Sequence, residues 1–369
     1  MRTFLARRLL LAIPTLLGAT LLVFVIVAAS PGGISAGLQA AGAMGEGRSN
    51  LDAARLRYLN ERYALDKPVL VQYLHWLGHL SPVTYVTSSH EESSTPGPRY
   101  TSGEVQLRWP DLGESFVKGR PVGAVVSEAL PVTVLINLLA MALVYIVAVP
   151  TGVLAARRPG GRLDRFMHAL YSWAWSMPLM LTSVLALGWL ASRRGLGLFP
   201  TSGLHDPDAA SFLFLPGYDD AGTFQRGYAL DAAWHLCLPV LCLAFGGVAV
   251  VWRQTRATVA SMMTSDFVRT ARAKGVPERD VLVHHALRAG LLPLITIFTG
   301  ALPLLLSGSV VVERVFELPG MGNLIVEAVI MRDRELLLGA VLIAGVVNIV
   351  ALLLADILYA AADPRVSHA

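Results

Sequence analysis

The sequence predicts an all-α protein that crosses a membrane several times. Hydrophobic residues make up 54% of the 369 residues, charged residues make up only 15%, and the mean hydropathy is +0.56. Soluble globular proteins carry about 25% charged residues. The chain also contains six apolar runs, and each is about 20–26 residues long. A helix of that length crosses a hydrocarbon core of about 30 Å, so the composition and the runs together predict six transmembrane helices.

The six runs differ in what flanks and interrupts them. They cover residues 9–29, 130–154, 166–191, 232–252, 289–312 and 336–358. The first run has two interpretations, a cleaved signal peptide or a retained helix. The core of a signal peptide has about 7–15 apolar residues, and this run is longer. A retained helix is therefore favoured. Pro178 lies inside the third run, where the missing backbone N–H predicts a kink.

Lysine and arginine residues predict the orientation of the runs. With the amino terminus inside, the cytoplasmic segments hold fifteen such residues, whereas the two short outside loops hold six. Residues 30–129 are left out of this comparison because long segments cross a membrane largely regardless of their charge. The excess predicts that both termini are cytoplasmic, and it places loop 253–288 in the cytoplasm.

These runs divide the chain into three parts. We expect an N-terminal transmembrane helix at 1–29, an extracytoplasmic insert at 30–129 and a core of five transmembrane helices at 130–369. The insert contains Gly-rich and Ser-rich stretches that are typical of loops. Between them, residues 51–77 have helical periodicity. One apolar face of that helix is formed by Leu51, Leu56, Leu59 and Tyr63.

Residues 265–288 form a polar, basic interval for which the sequence predicts two short helices. Ser265 is placed to cap the first helix, and Lys274 lies at its far end. Gly275 is positioned to leave the helix in a left-handed conformation, and Pro277 is suited to begin the second helix. Phe267 and Ala271 are four residues apart and so share a helix face. A first helix this short needs a protein surface to lie on.

One interpretation of this interval is a connecting loop whose charge only fixes membrane orientation. The alternative is a resemblance to the cytoplasmic coupling loop, or EAA loop, of bacterial ABC importer permeases. Ala271, Gly275 and Leu287 match the general pattern of that loop. The longer string VRTARAKG…HHALR…LLP resembles the dipeptide, oligopeptide and nickel branch of the family, in which the initial Glu is commonly replaced.

Other segments carry the same resemblance. RRLLLAIPTLLGATLLVFVIV at the amino terminus is similar to the first-subunit type of these permease pairs. ALDKPVLVQYLHWL, PDLGESF, GLFPTSG, ERVFELPGMGNLIVEAVIMRDRE and ADPRV resemble further marked segments. The resemblance covers most of the chain outside residues 81–109.

The resemblance implies the type I ABC importer permease fold in a bacterial inner membrane. It implies a permease subunit that pairs with a second related permease, two ATPase subunits and an extracytoplasmic solute-binding protein. ATP and Mg²⁺ would be bound by the ATPase subunits, and this chain would be surrounded by membrane lipid, would bind no cofactor and no nucleic acid, and would not itself be an enzyme. The cargo it implies is a peptide, with a nickel chelate or another small solute as the alternative.

The resemblance also implies a set of residues that couple this chain to the ATPase. They are Asp266, Phe267, Arg269, Thr270, Ala271, Arg272, Ala273, Lys274 and Gly275. In this hypothesis, the small Ala271 side chain permits close approach and Phe267 fills a pocket. The basic side chains suit an acidic or carbonyl-rich rim on the partner. The sequence identifies no residues of the substrate path.

Two other classes of protein stay open. An ion-coupled secondary transporter usually has acidic residues near the middle of its spans, but Asp356 lies near the end of the last run and His168 and His235 lie near the ends of theirs. A membrane anchor would have no ATPase partner. The chain also contains no GxxxxGK[ST] sequence, so energy from ATP must come from a partner.

Overall fold

The computed structural model describes residues 2–29, 67–81, 83–85, 105–107, 110–211, 213–218, 224–287, 290, 294–298, 300 and 310–362. These residues form two compact units. The first contains residues 1–12, 128–324 and 344–369, and the second contains residues 13–127 and 325–343. The predicted helix face at residues 51–63 and most of the fifth run lie outside the described residues.

Helices make up most of the described chain. In order, they are α1 (Arg2–Ala29), α2 (Val69–Leu80), α3 (Val122–Ala156), α4 (Arg162–Ser176), α5 (Leu179–Ala186), α6 (Gly227–Met262), α7 (Asp266–Ala273), α8 (Glu278–Asp280), α9 (Val310–Val315), α10 (Met321–Ile330) and α11 (Arg334–Ala362). Helix α5 continues as a π-helical turn at Leu187–Ala191, and α8 continues as another at Val281–Leu287. A 3₁₀ turn covers Pro207–Ser211.

Two short antiparallel strand pairs complete the described elements. Strand β1 (Val83–Tyr85) pairs with β2 (Val105–Leu107), with Thr84 opposite Gln106. Strand β3 (Gly217–Tyr218) pairs with β4 (Phe224–Gln225). The sequence analysis predicted loop at both places, because strands of two or three residues are too short to show an alternating pattern.

Among the described residues, four helices are long and apolar enough to cross a membrane. They are Leu10–Ala29 within α1, α3, α6 and Arg334–Ile357 within α11. A fifth is added if the bent pair of α4 with residues 179–191 counts as one span. The prediction of several apolar helices is therefore confirmed.

The third predicted run is broken rather than kinked. Helix α4 ends at Ser176, and the axes of the two segments that flank Pro178 differ by 95°. Met177 is extended, with φ −83° and ψ 119°. A residue before proline is driven out of the helical region by the proline ring, and the proline itself donates no backbone hydrogen bond. The two constraints act at adjacent residues, which explains a break instead of a bend.

Helices α3 and α6 cross closely in the first unit. A Cβ atom at Gly152 of α3 would lie 2.9 Å from Thr255 Cβ of α6, and one at Gly247 of α6 would lie 3.0 Å from a methyl group of Val144. The side chain of Trp252 is fully buried beside this crossing, together with Val144 and Val248. Glycine at the contacts lets the two backbones approach, as is common between membrane helices.

A buried ion pair fixes the start of α4 to α6. Arg256 donates to both carboxylate oxygens of Asp164, from Nε to Oδ1 at 2.5 Å and from Nη2 to Oδ2 at 2.6 Å. The backbone N–H of Gly160 donates to the same carboxylate at 2.8 Å. Asp164 lies in the first turn of α4, where the helix dipole favours a negative charge. A bidentate arginine pair holds both the distance and the orientation of the two helices.

Glu313 is the centre of a second buried polar network in the first unit. Its side chain is almost fully buried and accepts hydrogen bonds from Thr133 Oγ1 at 2.9 Å and from the Asn323 backbone N–H at 3.0 Å. Thr133 Oγ1 in turn accepts a bond from the Met321 N–H at 2.8 Å. The carboxylate therefore satisfies backbone donors in the first turn of α10, which would otherwise have no partner.

Three consecutive charged residues are buried in the second unit. Asp333, Arg334 and Glu335 are each no more than 1% exposed. Asp333 accepts hydrogen bonds from Ser115 Oγ at 2.5 Å and from the backbone N–H of Val117 at 3.1 Å. It also accepts one from the Leu336 N–H at 3.2 Å, which caps the start of α11.

The two neighbours of Asp333 pair with each other. Arg334 donates to Glu335 through Nε and Nη2, and its Nη1 donates to Gln72 of α2 at 3.2 Å. The guanidinium also lies over the Phe24 ring of α1, with its carbon 5.4 Å from the ring centre. Residues 333–335 therefore join α1, α2, residues 110–121 and the start of α11.

We expect Gly320→Ala to destabilise the first unit. A Cβ atom there would lie 2.5 Å from the Glu313 carboxyl carbon and 2.8 Å from Thr133 Oγ1, so the network has to open. Overpacking of this kind costs about 1–3 kcal/mol. Thermal unfolding of the purified protein in detergent measures the loss. Gly246→Ala is the matched control, because nothing lies within 4 Å of a Cβ there. Equal unfolding temperatures for the two variants would contradict this role for Gly320.

We expect Arg334→Ala to destabilise the second unit more strongly. The substitution leaves the Glu335 carboxylate buried without the cation that pairs with it. Removal of one partner of a buried pair costs about 3–5 kcal/mol. Resistance to proteolysis between residues 67 and 121 reports on this unit. The exposed neighbour Arg332, replaced by Lys, should leave that resistance unchanged.

Candidate functional site

The predicted coupling loop begins where α6 unwinds. The last turn of α6 closes with a hydrogen bond from the Met263 N–H to Val259 O at 2.9 Å. Ser265 then adopts the extended conformation of an N-cap residue, with φ −72° and ψ 157°, and α7 follows directly. The predicted position of the cap is correct, but the predicted side-chain bond is not made. Ser265 Oγ instead donates back to Met262 O at 2.5 Å, which ties the cap to the end of α6.

The inner face of α7 is buried against the rest of the first unit. Val268 is fully buried and Ala271 is 6% exposed. Both belong to one apolar cluster with residues from the ends of α3 and α6 and from the π-helical turn. The other members are Val153, Ala156, Val259, Met263, Val281, Leu282 and Ala286. Burial of a valine side chain contributes about 1.5–3 kcal/mol, so this face holds the short helix in place.

The turn after α7 is a complete Schellman motif. Gly275 has φ +77°, the left-handed conformation that the sequence predicted. The Gly275 N–H donates to Arg272 O at 2.9 Å, and the Val276 N–H donates to Ala271 O at 3.2 Å. These two bonds satisfy carbonyl groups at the end of α7. Lys274 is the C-cap residue, as the sequence predicted.

An ion pair closes the loop across this turn. Arg272 donates from Nη2 to Glu278 Oε1 at 2.8 Å and from Nε to Oε2 at 3.2 Å. The hydrogen bonds from Arg272 lower the pKa of the Glu278 carboxyl, and the same bonds raise the pKa of the Arg272 guanidinium. The contribution of the pair to stability is therefore present above the ordinary glutamate pKa, about 4.3, and is lost as the pH falls through the lowered value. Both side chains are 41% exposed, so the pair contributes at most about 1 kcal/mol.

The outer face of α7 carries the remaining predicted coupling residues. Phe267 is 45% exposed, and the Arg269 and Asp266 side chains are 73% and 98% exposed. Thr270, Ala273, Lys274 and Gly275 are also exposed. This face therefore combines one large aromatic side chain with basic groups on a helix whose opposite face is anchored.

Ala271 does not lie on the exposed surface of α7, where the sequence analysis expected it to permit close approach of the ATPase. Its side chain lies in the buried cluster with Val281 and Ala286. Its small size therefore permits close approach between α7 and the π-helical turn of the same chain. Phe267, four residues before Ala271, lies at the edge of the buried face and is 45% exposed.

Sequence reasoning did not identify the residues that anchor the loop. Val153 and Ala156 lie more than 100 positions before α7, in an apolar run where every residue fits a membrane helix. The burial of Val268 and Val281 could have been predicted, because each is an isolated apolar residue in a polar interval. Glu278 was also detectable, since Arg272 lies six residues before it across a predicted glycine turn.

The apolar cluster joins α7 to the ends of two long helices, α3 and α6. The Schellman turn and the Arg272–Glu278 ion pair close the loop that follows α7. Among the described residues, no group of three or more His, Cys, Asp or Glu side chains is arranged to hold a metal ion.

Comparison with known proteins agrees with this geometry. Residues 148–368 match the family described as "Binding-protein-dependent transport system inner membrane component". The chain is 33% identical over 374 residues to the oligopeptide transport system permease protein AppB of Bacillus subtilis (strain 168), and the match covers all of both chains. It is 31% identical over 372 residues to the di/tripeptide transport system permease protein DppB of Pseudomonas aeruginosa (strain UCBPP-PA14). That match covers 100% of this chain and 99% of the relative.

These findings define the class of the protein first: it is a multi-pass transport permease of the bacterial inner membrane, not an enzyme. The chain belongs to the family of inner membrane components of binding-protein-dependent transport systems. The family match spans α3 from its last turns, the broken α4–α5 pair, α6, the loop with α7, and α11. The loop described above is thus part of the conserved family region.

We expect Gly275→Ala to destabilise the loop and Gly275→Asn to do so less. No atom lies within 4 Å of a Cβ at this position, so the cost comes only from the positive φ. A left-handed conformation costs an ordinary residue about 1–2 kcal/mol, and asparagine tolerates it better. Hydrogen exchange of the amides in residues 266–287 measures the local opening. Equal exchange in alanine and asparagine variants would contradict a conformational origin.

Proposed function

We propose that this chain is one of two permease subunits of an ATP-driven peptide importer. The single observation that carries the proposal is the position of Phe267 on α7: Val268 and Ala271 anchor the helix, and Phe267 lies 45% exposed at the edge of that buried face. An aromatic side chain held on an anchored helix is a typical interface anchor. In a family of binding-protein-dependent transport permeases, the occupant of that face is an ATPase subunit.

The proposed assembly has five components of four kinds. This chain pairs with a second, related permease, and two ATPase subunits bind the loops that face the cytoplasm. A solute-binding protein delivers cargo from the other side of the membrane. ATP and Mg²⁺ bind to the ATPase subunits, since this sequence lacks a phosphate-binding GxxxxGK[ST] motif.

ATP-driven closure of the ATPase subunits displaces α7 in the proposed mechanism. The apolar cluster transmits the displacement to Val153 and Ala156 at the end of α3 and to Val259 at the end of α6. Rigid-body movement of packed helices is a common form of switching between two states. The same movement exposes the substrate path alternately to each side of the membrane.

The proposed topology has six spans, at 9–29 and then within the core 130–369, with both termini in the cytoplasm. An ion pair supports termini on the same side: Arg8 Nη1 near the start of α1 lies 2.9 Å from Asp356 Oδ2 near the end of α11. The loop 253–288 then lies on that side as well. Residues 30–129 form the extracytoplasmic insert in this scheme.

Peptides are the proposed cargo because both relatives are named as peptide transport permeases, and this chain matches each of them over nearly its full length. Affinity purification of the complex with its binding protein, followed by mass spectrometry of bound ligands, tests the whole proposal. We expect a related permease, an ATPase and short peptides. Detection of a bound nickel chelate would change only the proposed cargo. Isolation of the chain without any ATPase would contradict the proposed assembly.

We expect Phe267→Ala to weaken ATPase binding without affecting membrane insertion. Truncation of an interface anchor costs about 2 kcal/mol or more, which is roughly 30-fold in affinity. The amount of ATPase retained per permease after detergent washing measures the effect. Leu215→Ala is the control, because this residue is 66% exposed on a loop that the proposed topology places on the opposite side. Equal retention in both variants would remove Phe267 from the interface.

A further inference from the structure

Helix α2 presents mainly aliphatic side chains to its surroundings. Val69, Leu70 and Leu74 are 40%, 62% and 58% exposed. His75 is exposed as well, whereas Gln72, Tyr73 and Trp76 are buried. A water-exposed helix buries its apolar stripe and presents its polar side chains to solvent. The opposite arrangement is expected where the surrounding medium is hydrocarbon.

The buried side of α2 is hydrogen-bonded into the protein. Gln72 Nε2 donates to Lys67 O at 2.8 Å, and Gln72 Oε1 accepts from Arg334 at 3.2 Å. Tyr73 Oη donates to Leu17 O of α1 at 2.9 Å and lies 3.0 Å from Thr20 Oγ1. Polar groups that lie away from water need such partners.

Helix α2 packs along the apolar span of α1. Leu17 and Thr20 lie near the middle of the span Leu10–Ala29, so the Tyr73 contact is made well inside it. The Tyr73 ring also packs edge-on against Phe24, with ring centres 5.4 Å apart, and stacks on Trp76. Whatever medium surrounds this part of α1 therefore also surrounds α2.

An apolar groove runs between the two helices. Its volume is about 400 Å³, and it is lined by Leu21, Val25, Ala28, Ala29, Val69 and Leu70. Leu22 and Ile26, the sequence neighbours of two groove residues on α1, are 63% and 59% exposed. Only 11% of the α1 span is buried in the protein, so the groove is continuous with the surface that α1 presents to the membrane.

We propose that α2 is embedded in the membrane and that the groove between α1 and α2 holds a lipid acyl chain. With 12 residues α2 is too short to cross a bilayer, so it lies within the leaflet that contains the Ala29 end of α1. The sequence analysis placed this helix in the extracytoplasmic insert. The inference needs only that α1 spans the membrane, and it is independent of the ATPase interface and of the cargo.

A lipid chain fits the groove better than a protein segment or water. All six lining side chains are aliphatic, so the groove offers a ligand no side-chain hydrogen bond. A contiguous patch of exposed leucine and valine side chains is unfavourable in water, and proteins that expose one generally cover it. Because α1 spans the bilayer, lipid acyl chains already surround it, so no additional protein partner is needed to cover the groove.

Spin-label accessibility tests the proposal in the complete transporter reconstituted in lipid nanodiscs. Leu70→Cys and Leu74→Cys are labelled separately in a background that lacks Cys237 and Cys242 and retains transport. Leu22→Cys on α1, which lies outside the groove lining and is 63% exposed, is the lipid-facing reference, and Ser202→Cys on an exposed loop is the water-facing reference. Collision with oxygen reports hydrocarbon, and collision with a water-soluble nickel chelate reports solvent.

We expect labels at residues 70 and 74 to behave like the label at residue 22, with oxygen collisions exceeding nickel collisions. Behaviour like residue 202 would overturn the proposal in favour of a solvent-exposed helix. Low accessibility to both reagents would overturn it in favour of a protein partner on this face. A second measurement covers failure of these variants to fold: brominated acyl chains should quench a fluorophore attached at Val71→Cys, a position 40% exposed on the same helix. Unchanged fluorescence there would also contradict the inference.

Discussion

The packing of Val268 and Ala271 against the ends of α3 and α6 is the contact on which the structure of the loop and the proposed coupling depend. Helix α7 has eight residues, and an isolated helix of that length is unstable in water. The apolar cluster supplies the missing stability, and it also connects the helix to the spans. Because the same residues perform both tasks, the loop cannot be loosened without weakening its mechanical link to the membrane.

Buried charge has a complementary structural role elsewhere in the chain. Asp164, Glu313 and Asp333 each accept hydrogen bonds at a helix start, and each bond set joins elements that are distant in sequence. In a low-dielectric surrounding such groups are costly when unpaired and directional when paired. They therefore fix the orientation of helices whose apolar surfaces alone would permit sliding. Helix α2 follows the same rule at two positions, since the buried Gln72 and Tyr73 side chains are hydrogen-bonded inside the protein.

The sequence predicted the features that depend on near neighbours. Gly275 was predicted to be left-handed because a basic helix end, a glycine and a proline follow one another within four positions, and the structure confirms it. The apolar runs were predictable for the same reason, because each is a continuous stretch of the sequence. The partner of Asp333 could not be predicted, because Ser115 is 218 residues away and serine has no distinctive pattern. Pro178 indicated a kink, but the prediction did not include the extended Met177 before it, and the constraints at these two residues together give the 95° break.

The exposed face of α7 was predicted only in part for a similar reason. The four-residue spacing placed Phe267 and Ala271 on one helix face, yet it could not show which face is buried. That choice is made by the apolar ends of α3 and α6, which favour Val268 and Ala271 over the larger Phe267. The resemblance to importer permeases identified the loop, and the structure divides its residues into those that anchor and those that remain accessible.

Disulfide cross-linking between α7 and the ATPase subunit tests the central claim most directly. Single cysteines at Phe267 and at Val268 differ by one position and by burial, from 45% to 0% exposed. In membranes that contain the whole transporter, with cysteines introduced around the proposed docking groove of the ATPase, the account predicts an ATP-dependent cross-link from residue 267 and none from residue 268. Equal cross-linking from both positions, or from neither, would contradict the assignment of this face as the coupling surface.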